Sequence, residues 1–156
     1  MLGAQDARAP RVGVVAMTAG PIVLREQLAL AVDSALRAPE SQRQRIVRAD
    51  TLIAYLHTLD SGYGTDSGFS LADRRAFGQV LRLEVLLEIV VSEATSGYSA
   101  GLSGLCVRTG QQIAPARLVS GNDWRTLVPQ LVSQAQNVLS ILAAERADSV
   151  PVGRAC

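Results

Sequence analysis

The chain has no lysine: its basic residues are arginines throughout. That excludes a Schiff-base lysine nucleophile and the lysine of a phosphate-binding loop. Histidine is nearly absent too, with His57 alone, and cysteine is limited to Cys106 and Cys156. Those three residues cannot complete a zinc ligand set without several carboxylates. Aromatic residues make up only 4% of the chain, which argues against a surface on which bases stack. The formal net charge is +1, so no global field draws in nucleic acid or a membrane. Long apolar runs are missing as well. The longest, Val80 to Val91, is broken by Arg82, Glu84 and Glu88, far short of the ~20 uncharged residues of a membrane span.

What is present is an ordinary apolar share of 48%, supplied by Ala, Leu and Val. One domain is the expectation at 156 residues, since domains most often hold roughly 100–150. A globule of this size buries roughly 68–70% of its unfolded surface and needs no staple. The start of the chain, residues 1–19, is read as an arm or short strand. Its apolar stretch Val12 to Met17 is at the lower limit for a secretory signal and has Asp6 upstream.

Periodicity then predicts a mainly α domain over 20–147, a four-helix bundle with a small β-hairpin between the third and fourth helices. Gly20-Pro21 opens the first helix, whose stripe is Leu24, Leu28, Ala31, Val32, Ala35 and Leu36. Pro39 ends it. Ser41 and Gln44 form a capping-box pattern for a second helix, with Ile46, Ala49, Ile53 and Leu56 facing the core. Ser70 caps a third helix, read as running to about Ser96, with Leu83 and Leu87 at its buried centre. Leu105 to Arg108 and Gln111 to Ala114, flanking Thr109-Gly110, read as the hairpin. The last helix starts between Asn122 and Thr126 and ends near Ala147; residues 148–156 read as a tail.

Few residues carry chemistry against a plainer alternative. Glu84 and Glu88 fall one turn apart on the predicted third helix, but no Glu-x-x-His accompanies them, so a solvated strip is the better reading. His57 with Cys106 could make a base and a nucleophile. Cys106, however, lies in an apolar strand pattern, where an inert buried thiol is commoner. The segment Gly62 to Gly68 follows a helix and misses the dinucleotide spacing, which leaves a connector. Arg37, Arg43, Arg45 and Arg48 cluster around the turn into the second helix; an ordinary solvated helix start is the plainer reading, and a contact surface for nucleic acid or for a protein partner the sharper one. Cys156 lies in the predicted tail, where an incidental exposed thiol is the plainer reading; the sharper one is a crosslink to a neighbouring subunit, and pairing with Cys106 ranks below that, because Cys106 is expected to be packed away.

These residues point to a non-enzymatic assembly or adaptor protein, without cofactor or metal. It would self-associate or serve in a larger complex such as a phage-type particle. The alternative is a small DNA-binding regulator using the arginines. No membrane association is expected, and a cytoplasmic or particle location is favoured over secretion.

Overall fold

A computed structural model describes residues 11–18, 20–39, 45–59, 69–147 and Cys156. Its core is a mixed sheet rather than a helical bundle. Six strands run β1 (Val12–Val15), β2 (Ile46–Val47), β3 (Val85–Ala94), β4 (Gly97–Cys106), β5 (Gln112–Ile113) and β6 (Val119–Gly121). The order across the sheet is β2-β1-β3-β4-β5, with β6 also on β4. β1 is parallel to both β2 and β3, and all later pairings are antiparallel. Four helices accompany them among the described residues: α1 (Ile22–Arg37), α2 (Ala49–Leu56), α3 (Leu71–Val80) and α4 (Val128–Ala147).

The mainly α expectation is therefore wrong, and the third predicted helix shows why. It stops at Val80, and Val85 to Ala94 is a strand. That strand is buried on both faces: Val85, Leu87, Ile89 and Val91 pack with one cluster, Leu86 with the other. A strand covered on both sides is apolar at nearly every position, and such a run matches a helical stripe as well as an extended one. The stop itself is a C-terminal cap of the Schellman type. The Leu83 N–H donates to the Gly78 carbonyl at 2.8 Å and the Arg82 N–H to Gln79 at 3.1 Å. Arg82 takes the left-handed conformation there, with φ 56°, a place glycine usually holds. With no glycine written at the stop, the sequence reads straight through it.

The second predicted helix is likewise divided. Ile46-Val47 pairs with Val12 and Gly13 as an edge strand, and the helix begins only at Ala49. The capping pattern at Ser41 and Gln44 lies outside the described residues, as does the Gly62 to Gly68 segment. The N-terminal segment read as an arm or short strand supplies the interior strand β1, wholly buried at Val12 and Val14.

Two apolar layers enclose the sheet. On one face α1, through Leu24, Leu28, Val32 and Leu36, and α4, through Leu131, Ala135, Val138 and Leu142, pack on the odd-numbered residues of β3. On the other, Leu52 and Leu56 of α2 and Phe77 of α3 meet Val15, Leu86 and Leu105. α4 approaches β4 so closely that a side chain at Gly104 would meet Val138 at 2.7 Å. Leu83 and Leu87 are buried as the sequence predicts, but in a capped turn and a strand. Among the described residues no helix is long and apolar enough to cross a membrane.

Candidate functional site

In an open sheet with parallel strands, ligands usually sit beyond the carboxyl ends of the strands, where the connections diverge. Here that place, the turn from β1 into α1, is filled from within. Arg25, 1% exposed, donates from Nη1 to the Thr18 carbonyl at 2.9 Å and lies 3.4 Å from that of Ala16. Gly20 abuts Val91 closely enough that a Cβ would stand 3.0 Å from the Val91 carbonyl oxygen. The chain's own guanidinium takes the carbonyls that a ligand would otherwise address.

The opposite edge of the sheet is broken, and this is where a groove opens. β4 pairs with β5 at Gly104↔Ile113 and with β6 at Ala100↔Val119. Five residues, 114–118, thus face three, 101–103: a bulge of two extra residues. Ala114 enters it with φ 56°. Gly101 accommodates it, since a Cβ there would meet the Arg117 carbonyl at 3.0 Å. Gln134 of α4 spans the gap. Its Oε1 accepts from the Leu102 N–H at 2.8 Å and from the Arg117 N–H at 3.4 Å, and its Nε2 donates to the Arg117 carbonyl at 2.8 Å. The carboxamide stands in for a missing peptide unit of the ladder.

Between this segment and α4 lies a groove of about 510 Å³, lined by Leu102, Ala114, Pro115, Arg117, Ser133, Gln134, Asn137 and Ile141. Its polar groups among the described residues are amides, a hydroxyl and one guanidinium, with no carboxylate among them. Periodicity had no means of marking Gln134 or Arg117, because a bulge depends on strand pairing far away in sequence.

The candidates read from sequence are dispersed. Arg37 closes α1, with Nε 2.9 Å from Asp33 Oδ2. Arg45 leads into β2, its carbonyl accepting from the Val12 N–H at 2.9 Å. Arg48 precedes α2 and pairs with Asp50 at 2.8 Å, holding that exposed carboxyl below the usual range. Arg43 lies outside the described residues. The three described arginines thus sit on three different elements and do not line one helix start, because Ile46-Val47 is a strand.

His57 reaches back to α1, with Nε2 2.7 Å from Glu26 Oε1. Cys106 is in an intrachain disulfide with Cys156, Cα to Cα 5.4 Å, so it offers no free thiol to a base. This corrects the expected crosslink at Cys156: the structure pairs that sulfur within the chain. Cys106 is packed away as its apolar strand pattern predicts, yet it is the last residue of its strand and can be bridged from beyond the sheet end. Glu84 precedes β3 and Glu88 lies in it. Glu88, 6% exposed, meets Arg74 of α3 at 2.6 Å; burial raises its carboxyl pKa and the Arg74 charge lowers it in part. Among the described residues no group of three or more His, Cys, Asp and Glu side chains could hold a metal ion.

No protein-family model and no curated protein sequence matches the chain. Among solved structures, TolB from Acinetobacter baumannii is similar in fold, with TM-score 0.50 and 12% identity over 85% of this chain. The chain spans only 28% of that protein's length. Lipoprotein GNA1162 from Neisseria meningitidis aligns over 84% of this chain and 97% of its own, at TM-score 0.48 and 16% identity. The first of these likenesses supports a mixed α/β fold and goes no further.

Proposed function

We propose that the chain is a non-enzymatic docking domain that works by protein–protein contact, with the groove beside Gln134 as its contact surface. The observation that carries this reading is the interrupted sheet edge. A carboxamide holds the break open, and the groove beside it presents hydrogen-bonding groups together with apolar walls at Leu102 and Ile141. Such a mixture of apolar walls and a few fixed polar groups is what recognition sites use. Arg117, with no carboxylate among the described lining residues, favours an extended polypeptide segment that brings an acidic side chain.

The Cys106–Cys156 bridge supports work in an oxidising compartment, since such bonds persist outside the reducing cytosol. That reading replaces the cytoplasmic expectation. The comparisons lend no support to a particle component or a DNA-binding regulator, and neither is carried forward.

A photoreactive residue placed at Asn137, in cells that make the full chain, tests the proposal. The expected result is one defined crosslinked polypeptide, identified by mass spectrometry, that is absent when the same residue is placed at exposed Gln27 of α1. Equal or no capture at the two positions would overturn it.

A further inference from the structure

The outer edges of the sheet are not equally guarded. Arg45 and Arg48 flank β2, and β5 runs into Pro115. Charge and proline at such places keep an edge from pairing with another chain. β6 has neither: Leu118-Val119-Ser120-Gly121-Asn122 holds no charged residue and no proline. Leu118, Ser120 and Asn122 are all exposed, Leu118 at 63%.

The register fixes which backbone groups that edge offers. On β4 the Leu102 N–H turns to Gln134 in the break, and the Cys106 N–H donates to the Gln111 carbonyl at 2.9 Å. Even-numbered residues of β4 therefore address the side on which β5 and β6 lie. Ala100↔Val119 and Tyr98↔Gly121 are then the hydrogen-bonded pairs, and Ser99↔Ser120 between them is not. Val119 and Gly121 turn their N–H and C=O inward to β4, and Ser120 turns both outward. Among the described residues no strand pairs with that outer side, and no backbone group takes up those of Ser120. The Ser120 side chain is held separately, its Oγ 2.8 Å from Ser99 Oγ.

We propose that β6 is a strand-addition site: an extended segment of a partner protein pairs with its outer edge through Ser120 and continues into the groove at Arg117. This strand addition rests on the reading of the groove as the contact surface and adds how the segment is held. Arg117, which lines the groove, is joined directly to Leu118, so edge and groove form one track. The segment brings an acidic side chain to Arg117 and an apolar one to Leu118. Main-chain bonds supply affinity, and those two side chains supply selection. A second copy of this chain fits less well, because an edge of three residues buries far less than the ~1,000 Å² of a stable interface.

The test uses the full oxidised chain, with a displayed library of random linear ten-residue peptides as the probe. Peptides selected on the unaltered chain are resynthesised with each amide N-methylated in turn. The expected result is a loss of about tenfold or more at alternate amides of the paired stretch, because an added strand turns only every second amide to its neighbour. Ser120→Pro removes the outward N–H and leaves the inward groups of Val119 and Gly121 in place, a position where an edge strand tolerates proline. It should weaken binding about tenfold or more. Ser120→Ala, which loses the bond to Ser99 but keeps the N–H, should bind as the unaltered chain does. Losses without alternation, or undiminished binding by Ser120→Pro, would overturn the strand addition. If such peptides still lose affinity for Asn137→Arg, the groove reading stands without it; a library yielding no peptide sensitive to Asn137→Arg removes both. Sedimentation of the chain alone covers the other occupant: a dimer that Ser120→Pro dissociates would put a second copy on this edge and overturn the proposal.

Discussion

Arg74 Nε, on α3, stands 2.6 Å from Glu88 Oε2, on the central strand β3, and the two side chains are only 17% and 8% exposed. The pair joins a helix to the sheet through charge where most of that layer is joined by apolar contact. Breaking one partner of such a pair is costlier than never having had it, because the other is left charged and desolvated.

Burial, more than the opposing Arg74 charge, sets the pH behaviour of this pair, and it raises the Glu88 pKa. A carboxyl whose folded pKa lies above its unfolded value stabilises the fold fully below the unfolded pKa. That contribution is lost as pH rises through the folded one. Stability of the unaltered chain relative to Glu88→Gln should therefore grow as pH falls from neutrality toward about 4, the ordinary glutamate range. Urea unfolding of both proteins across that window measures it. A difference that is flat, or that shrinks on acidification, would refute the assignment.

Gln134→Leu should cost about 1–3 kcal/mol, because it strips the Leu102 N–H and the Arg117 backbone groups of their partner. Amide exchange at Leu102 should quicken with it, while amides of β1 change only with global stability. An unchanged unfolding midpoint would mean that water bridges the break as well as the carboxamide does.

Arg82→Gly should stabilise the fold by up to about 1 kcal/mol. A non-glycine residue in the left-handed region costs roughly 1–2 kcal/mol, and the entropy of glycine offsets part of that. Thermal unfolding of the oxidised protein reads the effect. A lower midpoint would show that the Arg82 side chain contributes more than its backbone conformation costs.

Removing the bridge by Cys156→Ser frees a loop of 50 residues in the unfolded chain and should cost about 4 kcal/mol on chain-entropy grounds. Comparison of the variant with oxidised and reduced parent in denaturant gives the figure. Variant and reduced parent should agree closely; a variant as stable as the oxidised parent would mean the bridge does not constrain the fold.

How far the sequence foretold this structure depends on how local each signal was. The first and last helices are where periodicity and proline put them: α1 lies between Pro21 and Pro39, and α4 carries Pro129 in its first turn. The cap at Ser70, accepting from the Asp73 N–H at 3.2 Å, is local as well. The turn at Thr109-Gly110 does form a hairpin, shortened to two residues in β5. The sheet was misjudged because its evidence is not local. Val12 to Val15 reads as a short strand or an arm, and its place as an interior strand comes only from partners more than thirty residues away. β3 reads as helix because burial on both faces erases alternation. Of the groove, Gln134 carries no local signal, since its partners Leu102 and Arg117 are brought together by strand pairing.

The bridge from Cys106 to Cys156 also alters how the domain would bear tension. A pull applied at Cys156 passes through the sulfurs directly to the end of β4, bypassing the 50-residue stretch that includes β5, β6 and α4. β4 is held to β3 along ten consecutive antiparallel pairs, from Val85↔Cys106 to Ala94↔Gly97. Force therefore enters at one end of the longest ladder in the sheet, and the helix that props open the broken edge is spared the load.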